Sequence, residues 1–316
     1  MKKITLLTIA AVMVMTNVLG QQAITWKATD TIELPKGITY LQSEGMLYDS
    51  IPLSAHCLLI DFSEGKFKLE AAQTTGFKTP SQFSSLHQQE VYACINGGFF
   101  SKSASVSLII DKGQVLAENP QSLSRPKGQY FPTRAAFGID KRGNMAIHWV
   151  YHTAKGLYAY EAPAPNQLDK MPLEQPDAKF PSKGKKWQPY VAMGAGPVLL
   201  KNTEPVTMAY ELFPEDIMDS VAPRTAIGYT ADGHLVMLVV DGRQQGKSEG
   251  VTLAQLALLM KELGCKDAMN LDGGGSSAMV VKGKLVNTPS DKLKDGSHGK
   301  ERAVKSVLML SAAKDL

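Results

Sequence analysis

The stretch Ala268-Met-Asn-Leu-Asp272-Gly-Gly-Gly-Ser-Ser-Ala-Met-Val-Val281 decides how this chain is read. An apolar run ends in one aspartate, three glycines and two serines follow, and a second apolar run begins. Consecutive glycines lose much backbone entropy on ordering, so three together mark a place where side chains would obstruct something. Upstream, His234-Leu-Val-Met-Leu-Val-Val-Asp241-Gly reads as a buried strand. Thr252-Leu-Ala-Gln-Leu-Ala-Leu-Leu-Met-Lys-Glu-Leu-Gly264 reads as a helix, with Thr252 as N-cap, Gln255 closing a capping box and Gly264 at the C-terminal end. Leu253, Leu256, Leu259, Met260 and Leu263 give that helix one apolar stripe. If the two flanking strands run parallel in one sheet, Asp241 and Asp272 cap the same sheet edge, where open α/β sheets bind ligands.

The order strand, helix, strand, glycine turn, hairpin, arginine-led strand also occurs earlier. His56–Phe62 and Lys66–Ala72 precede a helix opened by Thr79, Pro80 and Gln82, and Val91–Ile95 then leads into Asn96-Gly97-Gly98. Hairpins turn at Lys112-Gly113 and Lys282-Gly283, and the closing strands open on Arg134-Ala135-Ala136 and Arg302-Ala303-Val304. The reading is an α+β fold: a mixed sheet with packed helices, in two pseudo-repeated strand-helix-strand-hairpin halves within one domain. Residues 55–316 form that domain, 21–54 an N-terminal extension packed on it, and 153–188, rich in Pro, Lys and Asp, a surface insertion.

Residues 1–20 carry Lys2 and Lys3, then the apolar run Ile4–Leu19 and a small Gly20, the pattern of a secretory signal peptide. The expected location is therefore secreted or periplasmic. No later stretch is long and apolar enough to cross a membrane, so no stable membrane insertion is expected after its removal. The two leader lysines account for half of the formal charge of +4 on 316 residues, too little for a nucleic-acid surface. Cys57, Cys94 and Cys265 sit in or beside strand-like runs and read as buried structural thiols. His148 and His152 share a strand face without further ligands at zinc spacing.

The residues alone leave several chemistries open. Paired carboxylates Asp241 and Asp272 suit glycosidic chemistry or a divalent cation. Arg224 and Arg302 each open a strand and present a planar fork for phosphate. Asp272-Gly-Gly-Gly-Ser lacks the Gly-Lys-Ser/Thr of a nucleotide-binding loop, and Ser276 and Ser277 lack the serine-hydrolase elbow.

Together, Ile95-Asn-Gly-Gly-Phe-Phe100, Gly194-Ala-Gly-Pro-Val-Leu-Leu200, Pro223–Arg243, Gly250–Val281, Pro289-Ser-Asp291 and Glu301-Arg-Ala-Val304 resemble the phosphodiester glycosidase family, with domains of the N-acetylglucosamine-1-phosphodiester α-N-acetylglucosaminidase type. The likeness spans about residues 55–312. It implies hydrolysis of a sugar-1-phosphodiester at the glycosidic C–O bond, releasing sugar and a phosphomonoester. By that resemblance Asp272 and Asp241 are catalytic candidates. Arg224, Arg302, Asn96, Gly97, Gly98, Thr225, Asn270, Gly273, Gly274, Gly275, Ser276, Ser290 and Asp291 are candidates for binding the sugar and phosphate. Ala303 departs from the proline found there in many members. The implied partner is a phosphorylated glycan or sugar phosphate. No cofactor is required, although calcium or magnesium could sit among Asp241, Asp272 and Asp291. The alternatives are a phosphodiesterase cutting P–O and a non-catalytic glycan-binding protein of the cell envelope.

Overall fold

The computed structural model describes residues 24–47 and 51–313. The expected signal peptide lies outside the described residues. Three antiparallel sheets carry the fold. The first, of eight strands, runs in the order Thr25–Ala28, Ile38–Glu44, Ala55–Ile60, Leu235–Val240, Arg224–Thr230, Cys265–Asn270, Val198–Lys201, Glu204–Pro205. The second, of seven, runs Lys185–Lys186, Gly156–Tyr160, Met145–Thr153, Arg134–Ile139, Val191–Gly194, Ile109–Asp111, Gln114–Ala117. The third, of five, runs Lys284–Leu285, Met279–Val281, Val91–Asn96, Val304–Ala312, Phe67–Lys78.

The α+β expectation is overturned. Among the described residues twenty-six strands stand against three α-helices, and two of those helices, Pro80–Ser85 and Glu215–Met218, are six and four residues long. The molecule is a mostly β fold. Every strand pairing among the described residues is antiparallel, so the sheets are not mixed. The physical reason is that most apolar runs here are short and joined by tight turns, so neighbours in sequence close hairpins rather than crossovers. Only Leu253–Glu262 is a substantial helix; its capping box forms, and Leu256, Leu259 and Met260 pack on Cys57, Leu238 and Ala268.

The two pseudo-repeated halves share a sheet. Val91–Asn96 of the first pairs with Met279–Val281 and Val304–Ala312 of the second. Gly156–Tyr160, inside the expected surface insertion, is a strand of the second sheet whose Leu157, Tyr158 and Tyr160 are buried. The stretch before residue 55 supplies Thr25–Ala28 and Ile38–Glu44 to the edge of the first sheet. One core joins all three sheets, with Leu58 and Met237 from the first, Phe137 and Ile147 from the second, and Ile95 and Leu308 from the third.

One crossover does form as read. Leu235–Val240 and Cys265–Asn270 both pair antiparallel with Arg224–Thr230, which lies between them. They therefore run in the same direction, joined by the long helix, and both end at one sheet edge. Asp241 and Asp272 follow from those two ends.

Candidate active site

Asn96 joins the two glycine turns. Fully buried, it donates from Nδ2 to the main-chain oxygen of Asp272 (2.6 Å), and its Oδ1 accepts from Thr225 Oγ1 (2.8 Å) and Ala278 N–H (3.2 Å). Asp272 N–H donates to Gly97 oxygen at 3.1 Å. Gly97 and Gly98 are glycines because of packing: a Cβ would meet Ser306 and Met193 at the first and would overlap Gly194 oxygen and Ser107 at the second. Their N–H groups already serve Ser306 oxygen and Met193 sulfur, so this turn braces the site and offers no open anion nest. Asn270 donates to Gly196 oxygen at 2.8 Å and fixes the Gly194–Pro197 turn beside it.

Along Asp272–Ser276 the glycines have different reasons. Gly274 has φ +61°, a left-handed conformation in which other residues are strained. Its bare face lies 3.1 Å from the nearest guanidinium nitrogen of Arg243, measured from where a Cβ would stand. At Gly275 a Cβ would overlap the Arg302 guanidinium and the Asp291 carboxylate. Arg302 grips Asp291 with two parallel bonds, Nε to Oδ2 at 2.8 Å and Nη2 to Oδ1 at 2.7 Å. Ser290 Oγ lies 3.4 Å from Arg243 Nη1.

The two aspartates sit in different surroundings. Asp241 is buried: Oδ1 accepts from Asn287 Nδ2 and Thr288 N–H, both at 3.0 Å, and Oδ2 accepts from Ser54 Oγ at 2.9 Å. Asn287 also donates to Ser277 oxygen, so Asp241 anchors the loop that carries Ser290 and Asp291. Asp272 is partly exposed, and its carboxylate accepts the Gly273 N–H at 2.9 Å. Burial pushes its pKa up to about 6, against the opposing pull of the Ser276 hydroxyl, the Gly273 N–H and the Arg302 charge. The Ser276 hydroxyl acts on that carboxyl without meeting strict hydrogen-bond geometry. Asp241, Asp272 and Asp291 do not form a cage, and among the described residues no three His, Cys, Asp or Glu side chains are grouped to hold a metal.

Arg224 lies behind the turn, buried, with Nε on Val251 oxygen, Nη1 on Ile217 oxygen and Nη2 on Ser220 oxygen. Burial lowers its pKa to about 10, and the Arg243 charge adds to that. Its donors serve main-chain carbonyls, so its charge reaches the site as a field rather than a clamp. Arg243 was absent from the sequence-derived set. The signal was present in Asp241-Gly-Arg243, and the structure adds a second: Arg243 is a non-glycine residue at φ +60°.

Two further observations mark this region. Six buried side-chain polar atoms without partners, in Ser107, Asn119, Asn270, Ser276, Ser277 and Ser306, surround the two glycine turns. Buried polar groups are normally hydrogen-bonded, so those without a protein partner are met by water or by a ligand. Arg224 and Arg243 have no carboxylate within 4.0 Å among the described residues, leaving positive charge uncompensated. A cavity of about 780 Å³ between Trp187, His152 and Arg142 lies on the outer side of the second sheet and touches none of these residues.

The chain matches the family model described as phosphodiester glycosidase over residues 89–311. Relatives include the uncharacterized SPbeta prophage-derived protein YomE of Bacillus subtilis, 38% identical over 117 residues, which are 37% of this chain and 17% of that protein. The N-acetylglucosamine-1-phosphodiester α-N-acetylglucosaminidases of Bos taurus and Homo sapiens are 38% and 36% identical over 88 residues, 28% of this chain and 16% and 17% of theirs. The matched stretch thus spans about a sixth of these relatives' length. Among solved structures, the zebrafish N-acetylglucosamine-1-phosphodiester α-N-acetylglucosaminidase catalytic domain, auto-inhibited by its pro-peptide, superposes with TM-score 0.60 at 19% identity, covering 94% of this chain and 90% of that one. A hypothetical protein from Synechocystis gives TM-score 0.64 at 16% identity, covering 92% of this chain and 64% of that one. These likenesses show a shared fold.

Proposed function

The chain belongs to the phosphodiester glycosidase family, and from that premise we propose that it hydrolyses a sugar-1-phosphodiester at the C–O bond, releasing the sugar and a phosphomonoester. The observation that carries the reading is one half-buried carboxylate, Asp272, set beside the bare backbone of Gly274 and Gly275 with Arg243 and Arg302 on either side. The substrate phosphate lies against the two arginines. Their donors, with the field of Arg224, stabilise the charge that grows on the departing phosphate. A phosphate leaves readily as an anion, so protonation of the leaving group is less demanding than in an ordinary glycoside. Asp272 acts in its ionised form at the anomeric carbon, stabilising oxocarbenium-like charge or directing water. Asp241, saturated by Ser54, Asn287 and Thr288, positions the Ser290–Asp291 loop rather than the sugar. Glycan phosphates outside the cytoplasm are the expected substrates, consistent with the leader-like N-terminus. Among the described residues no helix is long and apolar enough to cross a membrane.

The test is hydrolysis of a GlcNAc-1-phosphodiester in ¹⁸O-water by wild type and by Asp272→Asn. Label in the sugar and loss of turnover in the variant support the reading. Label in the phosphate assigns P–O cleavage instead, and glycan binding without turnover assigns a binding protein.

A further inference from the structure

A second cavity, about 260 Å³, opens beside the glycine turn of Asn96–Gly98. Its walls include Phe99, which follows that turn, and Ser107, which packs against Gly98. Ile217, whose carbonyl holds Arg224, lines it from another side. The cavity therefore adjoins segments that brace the candidate active site, yet it contains none of the residues assigned to the cleaved phosphate.

Its chemistry is specific. Arg125 and Arg134 both line it; burial lowers the Arg134 pKa to about 10, the Glu211 charge opposes that, and the Arg125 charge adds to it. Arg134 is buried; one face of its guanidinium lies 3.9 Å from the Phe213 ring centroid, and Nη1 donates to the main-chain oxygen of Glu211. The Glu211 carboxylate serves Ala135 N–H, Val198 N–H and Trp149 Nε1. Neither arginine has a carboxylate within 4.0 Å among the described residues. Two neutral donors stand with them. Ser107 Oγ and Asn119 Nδ2 are buried and unpartnered, although Asn119 Oδ1 is fixed by the Leu108 N–H at 2.7 Å. Two cations and two orphaned donors in a cavity walled by two phenylalanines form a site for an anionic group attached to a compact ring. The volume, about 260 Å³, lies just below the range of drug-sized ligand cavities, roughly 300–1,000 Å³. That fits one pyranose, whose C–H face rests on an aromatic ring.

We propose that this cavity is a subsite for a carboxylate-bearing sugar, a hexuronate, adjoining the phosphodiester. Arg125 and Arg134 pair with its carboxylate, Ser107 and Asn119 donate to its oxygens, and the Phe99–Phe213 pair, ring centroids 5.4 Å apart, forms one apolar wall against its ring. The assignment of the ring to the same substrate rests on the phosphodiester reading; the binding preference does not.

Calorimetric titration of the full chain with methyl glucuronoside and methyl glucoside reads the cavity without turnover. Wild type is expected to bind the glucuronoside at least tenfold tighter. Arg125→Gln and Asn119→Asp, the second keeping the Leu108 bond, are expected to abolish that preference. Asp272→Asn is expected to retain it. Equal affinity for the two sugars, or a preference that survives both cavity variants, overturns the proposal. Inorganic phosphate displacing the glucuronoside at equal concentration also overturns it, assigning a plain anion hole. A protein that prefers the glucuronoside but hydrolyses no phosphodiester keeps this inference and refutes the proposed reaction.

Discussion

Asp272→Asn should abolish turnover and make the fold more stable at neutral and alkaline pH. Burial raises the Asp272 pKa from an ordinary 3.8 to about 6. A carboxyl with a raised folded-state pKa binds its proton more tightly when folded. Its stabilising contribution is complete below about pH 4 and is lost as pH rises through about 6. Each unit corresponds to about 1.36 kcal/mol, so two units give about 3 kcal/mol. The side chain keeps some contact with water, which reduces the effect to about 1–2 kcal/mol. Asparagine removes the charge and keeps an oxygen for the Gly273 N–H. At pH 8 the variant should therefore melt roughly 2–8 °C higher than wild type, given about 2–4 °C per kcal/mol for chains approaching this size. Near pH 4 the gap should close. Paired circular-dichroism melts from pH 4 to 8 measure this. A variant no more stable than wild type at pH 8, or a gap constant across that range, would show that the fold does not strain this carboxylate. The same ionisation should appear in the rate: kcat/KM of wild type rises with pH through about 6 if Asp272 works as the anion.

Arg243 is exposed, so Arg243→Ala should change stability by less than about 0.5 kcal/mol, while kcat/KM for a phosphodiester falls about tenfold or more through lost stabilisation of phosphate charge; unchanged kinetics would remove it from the site. Gly275→Ala places a methyl group where the Arg302–Asp291 pair sits; activity should fall at least tenfold with the protein still folded by circular dichroism, and full activity would show the pair is dispensable. Asp241→Asn sets an amide against the Thr288 N–H and the Asn287 amide; a stability loss of about 1–3 kcal/mol in urea titration is expected, and a large kcat loss without destabilisation would instead make Asp241 catalytic. Chelation with EDTA should leave the rate unchanged, since Asp241 and Asp291 are already engaged with other partners; inactivation rescued by calcium or magnesium would restore a cation to the mechanism.

Local features were legible where one residue type answers one local need. Thr79 with Gln82 and Thr252 with Gln255 form the capping boxes that their spacing predicts. The stripe through Leu256 and Met260 is buried, as are all three cysteines. The common direction of the strands ending at Asp241 and Asp272 followed from the helix between them. The layer architecture did not follow. Nothing local to Arg224–Thr230 says that it inserts between two strands flanking a later helix and makes every contact antiparallel. Nor does Val91–Ile95 announce Val304–Ala312 as its neighbour, a pairing more than two hundred residues distant. Apolar runs specify that a strand is buried, whereas the choice of partner is settled by tertiary packing.

The site shows the same division at the level of single groups. Asp241 and Asp272 look alike in sequence, each following an apolar strand and preceding glycine. The difference between them lies in what other segments bring. Ser54, Asn287 and Thr288 converge on Asp241 from distant parts of the chain and leave its oxygens occupied. Asp272 receives one backbone N–H, the influence of Ser276 and the Arg302 field, and stays partly open. Likewise, Arg224 and Arg302 both open strands, yet Arg224 is enclosed by three carbonyls while Arg302 stands paired at the glycine turn. A formal charge of +4 spread over 316 residues gives no hint of this arrangement. What matters is that Arg125, Arg134, Arg224 and Arg243 gather around two glycine turns, and among the described residues none has a carboxylate within 4.0 Å. Like charges held close together, with Arg134 and Arg224 buried, oppose folding unless something offsets them. An anionic substrate supplies that offset when it binds, so ligand affinity and the cost of holding the empty site are two sides of one electrostatic balance.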